Sequence, residues 1–159
     1  MADKDMRSLV AFRIDTEEFA VDIASVQEIN RCVEVTRIPN SPSHVRGVMN
    51  LRGKIIPVVD LRGMLGFKAG VADKQNRIIV IEIGGVVAGF LVDSVSEVIQ
   101  LAESSIEARP AFAGPVEPDY VAGVGKMEER LLILLDLKRM FPAQAGSGED
   151  AALLAGLLG

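Results

Sequence analysis

Apolar positions in this chain come in short runs, most of them with a two-residue period. Leu9 to Ile14 alternates and predicts a strand. Asp15 to Glu18 turns the chain, and Phe19 to Ile23 predicts the hairpin partner. Ile23, Val26 and Ile29 recur every third residue, which predicts one or two helical turns over Ile23 to Ile29. Val33 to Ile38 predicts another strand, and Pro39-Asn40-Ser41-Pro42 a loop. Ser43 caps a turn that runs through Arg46.

The run from Gly47 to Leu61 predicts a central hairpin. Val48, Asn50 and Arg52 share one face of its first strand, Met49 and Leu51 the other. Arg52-Gly53-Lys54 supplies the turn. Ile55 to Val59 is β-branched and apolar and predicts a strand buried on both faces. Pro57 cannot donate to a ladder, so that strand is expected at an edge or with a bulge. Asp60 caps a short helix, Leu61 to Leu65, which Gly66 ends. Farther on, Ile78 to Ile83 and Val86 to Val92 predict a hairpin across Gly84-Gly85, and Val95 to Leu101 an extended segment. Pro110, Pro115 and Pro118 predict irregular chain.

The layout repeats. Val45, Gly47, Val48, Asp60 and Leu61 match Val121, Gly123, Val124, Asp136 and Leu137 at an offset of 76. Val26, Glu28 and Ile29 match Val95, Glu97 and Val98 at an offset of 69. Two blocks in the same order argue for an internal duplication. Short strands with glycine turns point to small barrels, and two copies to two barrels sharing a seam. The chain thus divides into a domain over residues 8–141 and a remainder, 142–159. Residues 8–66 form the first copy and 78–141 the second, with a polar hinge at 67–76. In the tail, Leu153, Leu154, Leu157 and Leu158 fall on one helical face. Eight residues do not hold a helix alone in water, so order there requires docking on the body or a neighbour.

Composition narrows the function. The chain has 159 residues, is 49% hydrophobic, and has one Tyr and no Trp, so its core must be aliphatic. A net charge of −5 argues against nucleic acid or an anionic membrane as partner. The single cysteine, Cys32, excludes an internal disulfide and fits a reducing compartment. No apolar run is long enough to cross a bilayer, and the polar start lacks the core of a signal peptide. A cytoplasmic protein is expected.

Catalytic chemistry finds little support. His44 is the only histidine, so no histidine-based metal cluster or triad is available, and no base is positioned for Cys32. Gly123-Val124-Gly125-Lys126 falls short of a phosphate loop: the earlier glycine is missing, and Met127 stands where Ser or Thr is required. Glu17-Glu18 and Glu128-Glu129 read as solvated turn charges rather than an acid–base couple. The difference between the copies says more. Arg52 matches Glu128, and Asn50 matches Lys126. A barrel that forms without an arginine in the second copy does not need Arg52, which makes it a candidate for binding an outside carboxylate.

Val26-Gln27-Glu28-Ile29, Thr36 to Pro42, Arg46 to Gly53 and Ile56 to Leu61 resemble the CheW family of bacterial chemotaxis coupling proteins. Gly89 to Asp93, Val95 and Leu132 to Leu135 continue the likeness, which spans about Ser8 to Phe141. The resemblance implies a mainly β fold of two small five-stranded barrels with short helices, no catalysis and no cofactor or metal. It implies a scaffold that joins the cytoplasmic tips of methyl-accepting chemoreceptors to the regulatory domain of the histidine kinase CheA, with other CheW copies in rings. It implies recruitment to membrane receptor arrays without insertion. Carried over by position, the receptor-binding groove would involve Val26, Glu28, Gly47, Arg52 and Val98, with Gly89 near the seam. Val26 and Val98 read equally as contact or core, and the two glycines as groove or packing residues. The kinase-facing residues stay unassigned. A coupling protein of a related pathway, twitching motility or second-messenger control, is the alternative.

Overall fold

A computed structural model of the protein describes residues 6–31, 35–37, 45–67, 75–83, 85–108 and 120–140. Its strands are β1 (Met6–Ile14), β2 (Glu17–Asp22), β3 (Val26–Arg31), β4 (Val45–Leu51), β5 (Lys54–Asp60), β6 (Arg77–Ile83), β7 (Val86–Val92), β8 (Ser94–Ala102), β9 (Ile106–Ala108), β10 (Val121–Met127) and β11 (Arg130–Leu135). One-turn helices α1 (Leu61–Met64) and α2 (Leu137–Met140) follow β5 and β11. The fold is mainly β, in two sheets with strand orders β8-β1-β2-β11-β10-β9 and β3-β6-β7-β5-β4.

Each sheet draws on both copies. The β1–β2 hairpin lies among β8 to β11, and the β6–β7 hairpin among β3 to β5. Parallel ladders make the joins: Val58 opposes Gly89 in one sheet, and Leu134 opposes Ala20 in the other. These pairs correspond under the offsets of 76 and 69. So do the register shifts at Arg46 and Ala122, and those that leave Gln27 and Ser96 unpaired.

Barrel closure is partial. β8 and β9 stand at opposite edges of their sheet yet are separated by a single turn, Glu103–Ser105. In the other sheet Thr36, just beyond β3, exchanges two 2.8 Å hydrogen bonds with Val48 of β4. Each sheet therefore curls toward closure as a half-barrel.

Strand alternation sorts the apolar side chains into three cores. Leu9, Ala11, Ala20, Ile99, Leu132 and Leu134 fill one half-barrel, and Met49, Ile56, Val58, Ile78, Val80 and Leu91 fill the other. The opposite faces of the same strands meet in a larger core between the sheets, where the fully buried Phe12, Phe19 and Phe90 stand among Ile79, Ile81 and Ile133, so the core is not purely aliphatic as composition suggested.

Three expectations need correction. Ile23 to Ile29 is helical only over Ile23–Ser25, where Asp22 accepts from the Ala24 N–H at 3.0 Å; the rest is strand β3. Pro57 lies in an inner strand without a bulge of its own. Val48, opposite it, spends its N–H and C=O on Thr36, and pairing with β7 begins only at Val58, so no donor is asked of Pro57. Ile55 is not buried but 58% exposed, because it projects past the half-barrel end beside the turn. Cys32, Pro39 to His44, the hinge over 68–74, Pro110, Pro115, Pro118 and the tail fall outside the described residues.

Candidate functional site

Arg52 occupies the β4–β5 turn with φ of 52°, and Asn50 fixes that turn by accepting from the Gly53 N–H at 2.8 Å. Its guanidinium forks onto Glu28 of β3, Nη1 to Oε2 at 2.7 Å and Nη2 to Oε1 at 2.9 Å. The hydrogen bond from Arg52 holds the Glu28 carboxyl below its ordinary pKa. The pair crosses the mouth of the half-barrel, and the Arg52 side chain stays 74% exposed. Two nitrogens face Glu28, so three of the five N–H donors remain for another acceptor.

The second copy has its own clasp, which corrects the view that it does without an arginine. Glu128, the counterpart of Arg52, also has positive φ, at 48°. The cation there is Arg130. It donates to Glu97, the counterpart of Glu28, at 2.9 Å, and forks onto Glu18 at 3.1 and 2.8 Å. Hydrogen bonding to Arg130 lowers the Glu18 pKa and raises that of the guanidinium.

Of the remaining expected positions, Val26 and Val98 belong to an apolar edge. The register shift at Gln27 puts Val26 and Ile29 opposite Ile81 and Ile79, both of which point into the core between the sheets. Cross-strand neighbours share a face, so Val26 and Ile29 extend that core to the sheet edge. On β8, Val95 and Val98 do the same opposite Phe12 and Val10. Val26 and Val95 pack partly on the core, whereas Ile29 is 39% and Val98 56% exposed. β3 and β8 are edge strands of their sheets. Ile29 was not among the sequence candidates, although its match to Val98 marked it.

Gly47 and Gly89 lie beneath the surface. Gly47 has φ of 144°, and a Cβ there would sit 2.0 Å from the Thr36 carbonyl oxygen. At Gly89 a Cβ would meet Ile78 Cγ2 at 2.8 Å. Backbone packing accounts for both glycines.

A further ionic cluster joins the sheets. Arg62 of α1 donates to Asp93 at 3.0 and 2.8 Å and to Asp15 at 3.2 Å, and the Asp15 N–H donates to Asp93 at 2.7 Å. Burial pushes the Asp93 carboxyl up, but these donors outweigh it and leave its pKa low. Such a saturated carboxylate is a strut rather than a base. Among the described residues no group of three or more His, Cys, Asp or Glu could hold a metal ion. None of their helices is long and apolar enough to cross a membrane.

The CheW-like domain family model matches residues 8–145. The chemotaxis protein CheW of Klebsiella aerogenes is 37% identical over 148 residues, 93% of this chain and 86% of that protein. That of Rhizobium meliloti is 37% identical over 138 residues, 87% of this chain and 89% of that protein. The crystal structure of the scaffolding protein TtCheW from Thermoanaerobacter tengcongensis superposes with a TM-score of 0.81 at 36% identity, covering 91% of this chain and 96% of that one. Family model, relatives and fold agree, and the chain belongs to the CheW-like family.

Proposed function

We propose that this chain is a non-catalytic adaptor that couples chemoreceptor cytoplasmic tips to the regulatory domain of the histidine kinase CheA. In this reading residues 8–141 act as one CheW-like domain of two copies, in the cytoplasm and recruited to receptor arrays, where further copies join in rings. The receptor tip, a helical hairpin, lies along the edges of β3 and β8. Val26 and Val98 meet its apolar side, while Arg52, oriented by Glu28, meets its carboxylates or helix-end carbonyls. Gly47 and Gly89 shape that surface from below.

The observation that carries this reading is the Arg52–Glu28 fork, which holds a largely exposed guanidinium in one orientation with donors to spare. The test is titration of a receptor-tip fragment against the wild type, Arg52→Glu and the exchange Glu28→Arg/Arg52→Glu. Arg52→Glu should weaken binding more than tenfold with a nearly unchanged melt. The exchange rebuilds the ion pair and should not restore binding if the guanidinium itself contacts the receptor. Full recovery would make the pair an internal clasp only, and unchanged binding in Arg52→Glu would remove the site.

A further inference from the structure

Asn50 and Lys126 stand at matching places in the two hairpins but hold different partners. Arg52 and Gly53 are the two central residues of the β4–β5 turn, with φ of 52° and 87°, and Leu51 pairs with Lys54 across it. A type I′ hairpin turn requires positive φ at both places. Glycine adopts it freely, whereas an arginine resists it. Asn50 Oδ1 accepts from the Gly53 N–H at 2.8 Å. That N–H belongs to the peptide unit that leaves the Arg52 Cα, so the bond fixes rotation about the Arg52 Cα–C bond. The Glu28 fork holds the far end of the same residue, at 2.7 and 2.9 Å. Arg52 is thus gripped at its backbone and at its guanidinium.

The second copy shows that the hairpin itself does not need the asparagine. Glu128 has φ of 48° in the corresponding turn, and β10 and β11 stay paired up to Met127 and Arg130. Lys126 reaches Glu107 there, at 3.5 Å. Asn50 is also exposed, so packing does not account for it. What sets the first turn apart is the cation at its tip. We infer that Asn50 is a positioning residue for receptor binding, which sets Arg52 in its docking orientation before the receptor tip arrives. The inference rests on the receptor reading of Arg52 given above. Ordering a long side chain only on binding costs about two- to tenfold in affinity, and a guanidinium already held in place avoids that loss.

The experiment combines nitrogen relaxation at Arg52 Nε in the free full-length chain with titration of a receptor-tip fragment. In Asn50→Ala the Arg52 Nε order parameter should fall, and in Asn50→Asp, which keeps an acceptor for the Gly53 N–H, it should stay near the wild-type value. Asn50→Ala should weaken binding about two- to tenfold. In an Arg52→Gln background, where no guanidinium is left to position, the same change should cost less than about 1.5-fold. An unchanged order parameter in Asn50→Ala would overturn the inference. So would an equal loss of affinity in both backgrounds, which would make Asn50 a direct contact or a general support of the fold and leave the receptor reading of Arg52 standing. Wild-type binding by Arg52→Gln alone would remove that reading, and the inference with it.

Discussion

Arg52 and Glu128 occupy corresponding hairpin turns and share an unusual positive φ, yet only one of them is a cation. Sequence comparison sees that difference and concludes that the second copy needs no arginine. The structure shows the pairing moved two residues along, to Arg130. Arg130→Gln should therefore lower stability at neutral pH by about 1 kcal/mol, since it leaves Glu18 and Glu97 without their cation. Glu18 has a folded pKa below its ordinary 4.5, so its contribution is complete above that pH and is lost as pH falls through the folded value. Chemical denaturation across pH should show the gap between wild type and Arg130→Gln largest above about pH 5 and shrinking toward pH 3. A gap independent of pH would sever the link to Glu18. Gly47→Ala belongs to the same scale. Its Cβ would collide with the Thr36 carbonyl, so the variant should lose at least about 2 kcal/mol, and a weak receptor response from it would report misfolding rather than a lost contact.

Among the elements, β3 shows how a sound periodicity argument goes astray. Val26 and Ile29 are three residues apart and do share a face, as a helical pattern requires. A bulge at Gln27 is what places them together, by adding one residue to a strand. A single apolar triplet does not separate the two cases, because both bring residues i and i+3 to one side. The hairpins were legible because alternation and turn residues agreed, and both helix-opening aspartates were legible from their position before short apolar turns. Asp60 accepts from the Arg62 N–H at 3.1 Å, and Asp136 from the Arg139 N–H at 3.1 Å. Arg52 stood out because its counterpart is Glu128, whereas Val26, Glu28 and Val98 became candidates only through the family resemblance, and no local pattern separated exposed candidates from the two buried glycines. The β3 and β8 edges carry their own prediction. Ile29→Asp and Val98→Asp should each weaken receptor-tip binding by about tenfold, while thermal melts stay within about 2 °C, because both side chains are already exposed. Unchanged affinity in both variants would move the receptor away from these edges.

At the scale of the molecule, the exchange of hairpins between sheets could not be read from local pattern. The parallel joins pair residues as distant as Phe19 and Ile133, and alternation records which face of a strand is buried but not which strand lies beside it. Because each sheet contains strands from both copies, residues 1–66 and 78–159 expressed separately should lack a stable β-sheet spectrum. Two independently folded halves would refute the interlocked arrangement. Phe90 lies fully buried in the core between the sheets, and Phe90→Ala should cost about 3–5 kcal/mol in one cooperative transition rather than split it in two. A domain held together in this way presents its surfaces at fixed relative positions, which the proposed adaptor role would require. The most direct measurement is co-sedimentation of the CheA regulatory domain with receptor-containing membranes, with and without this chain. The kinase domain should pellet in a dose-dependent way only when the chain is present, and far less with Arg52→Glu. A pellet that is the same without the chain, or none when it is added in excess, would contradict the coupling role.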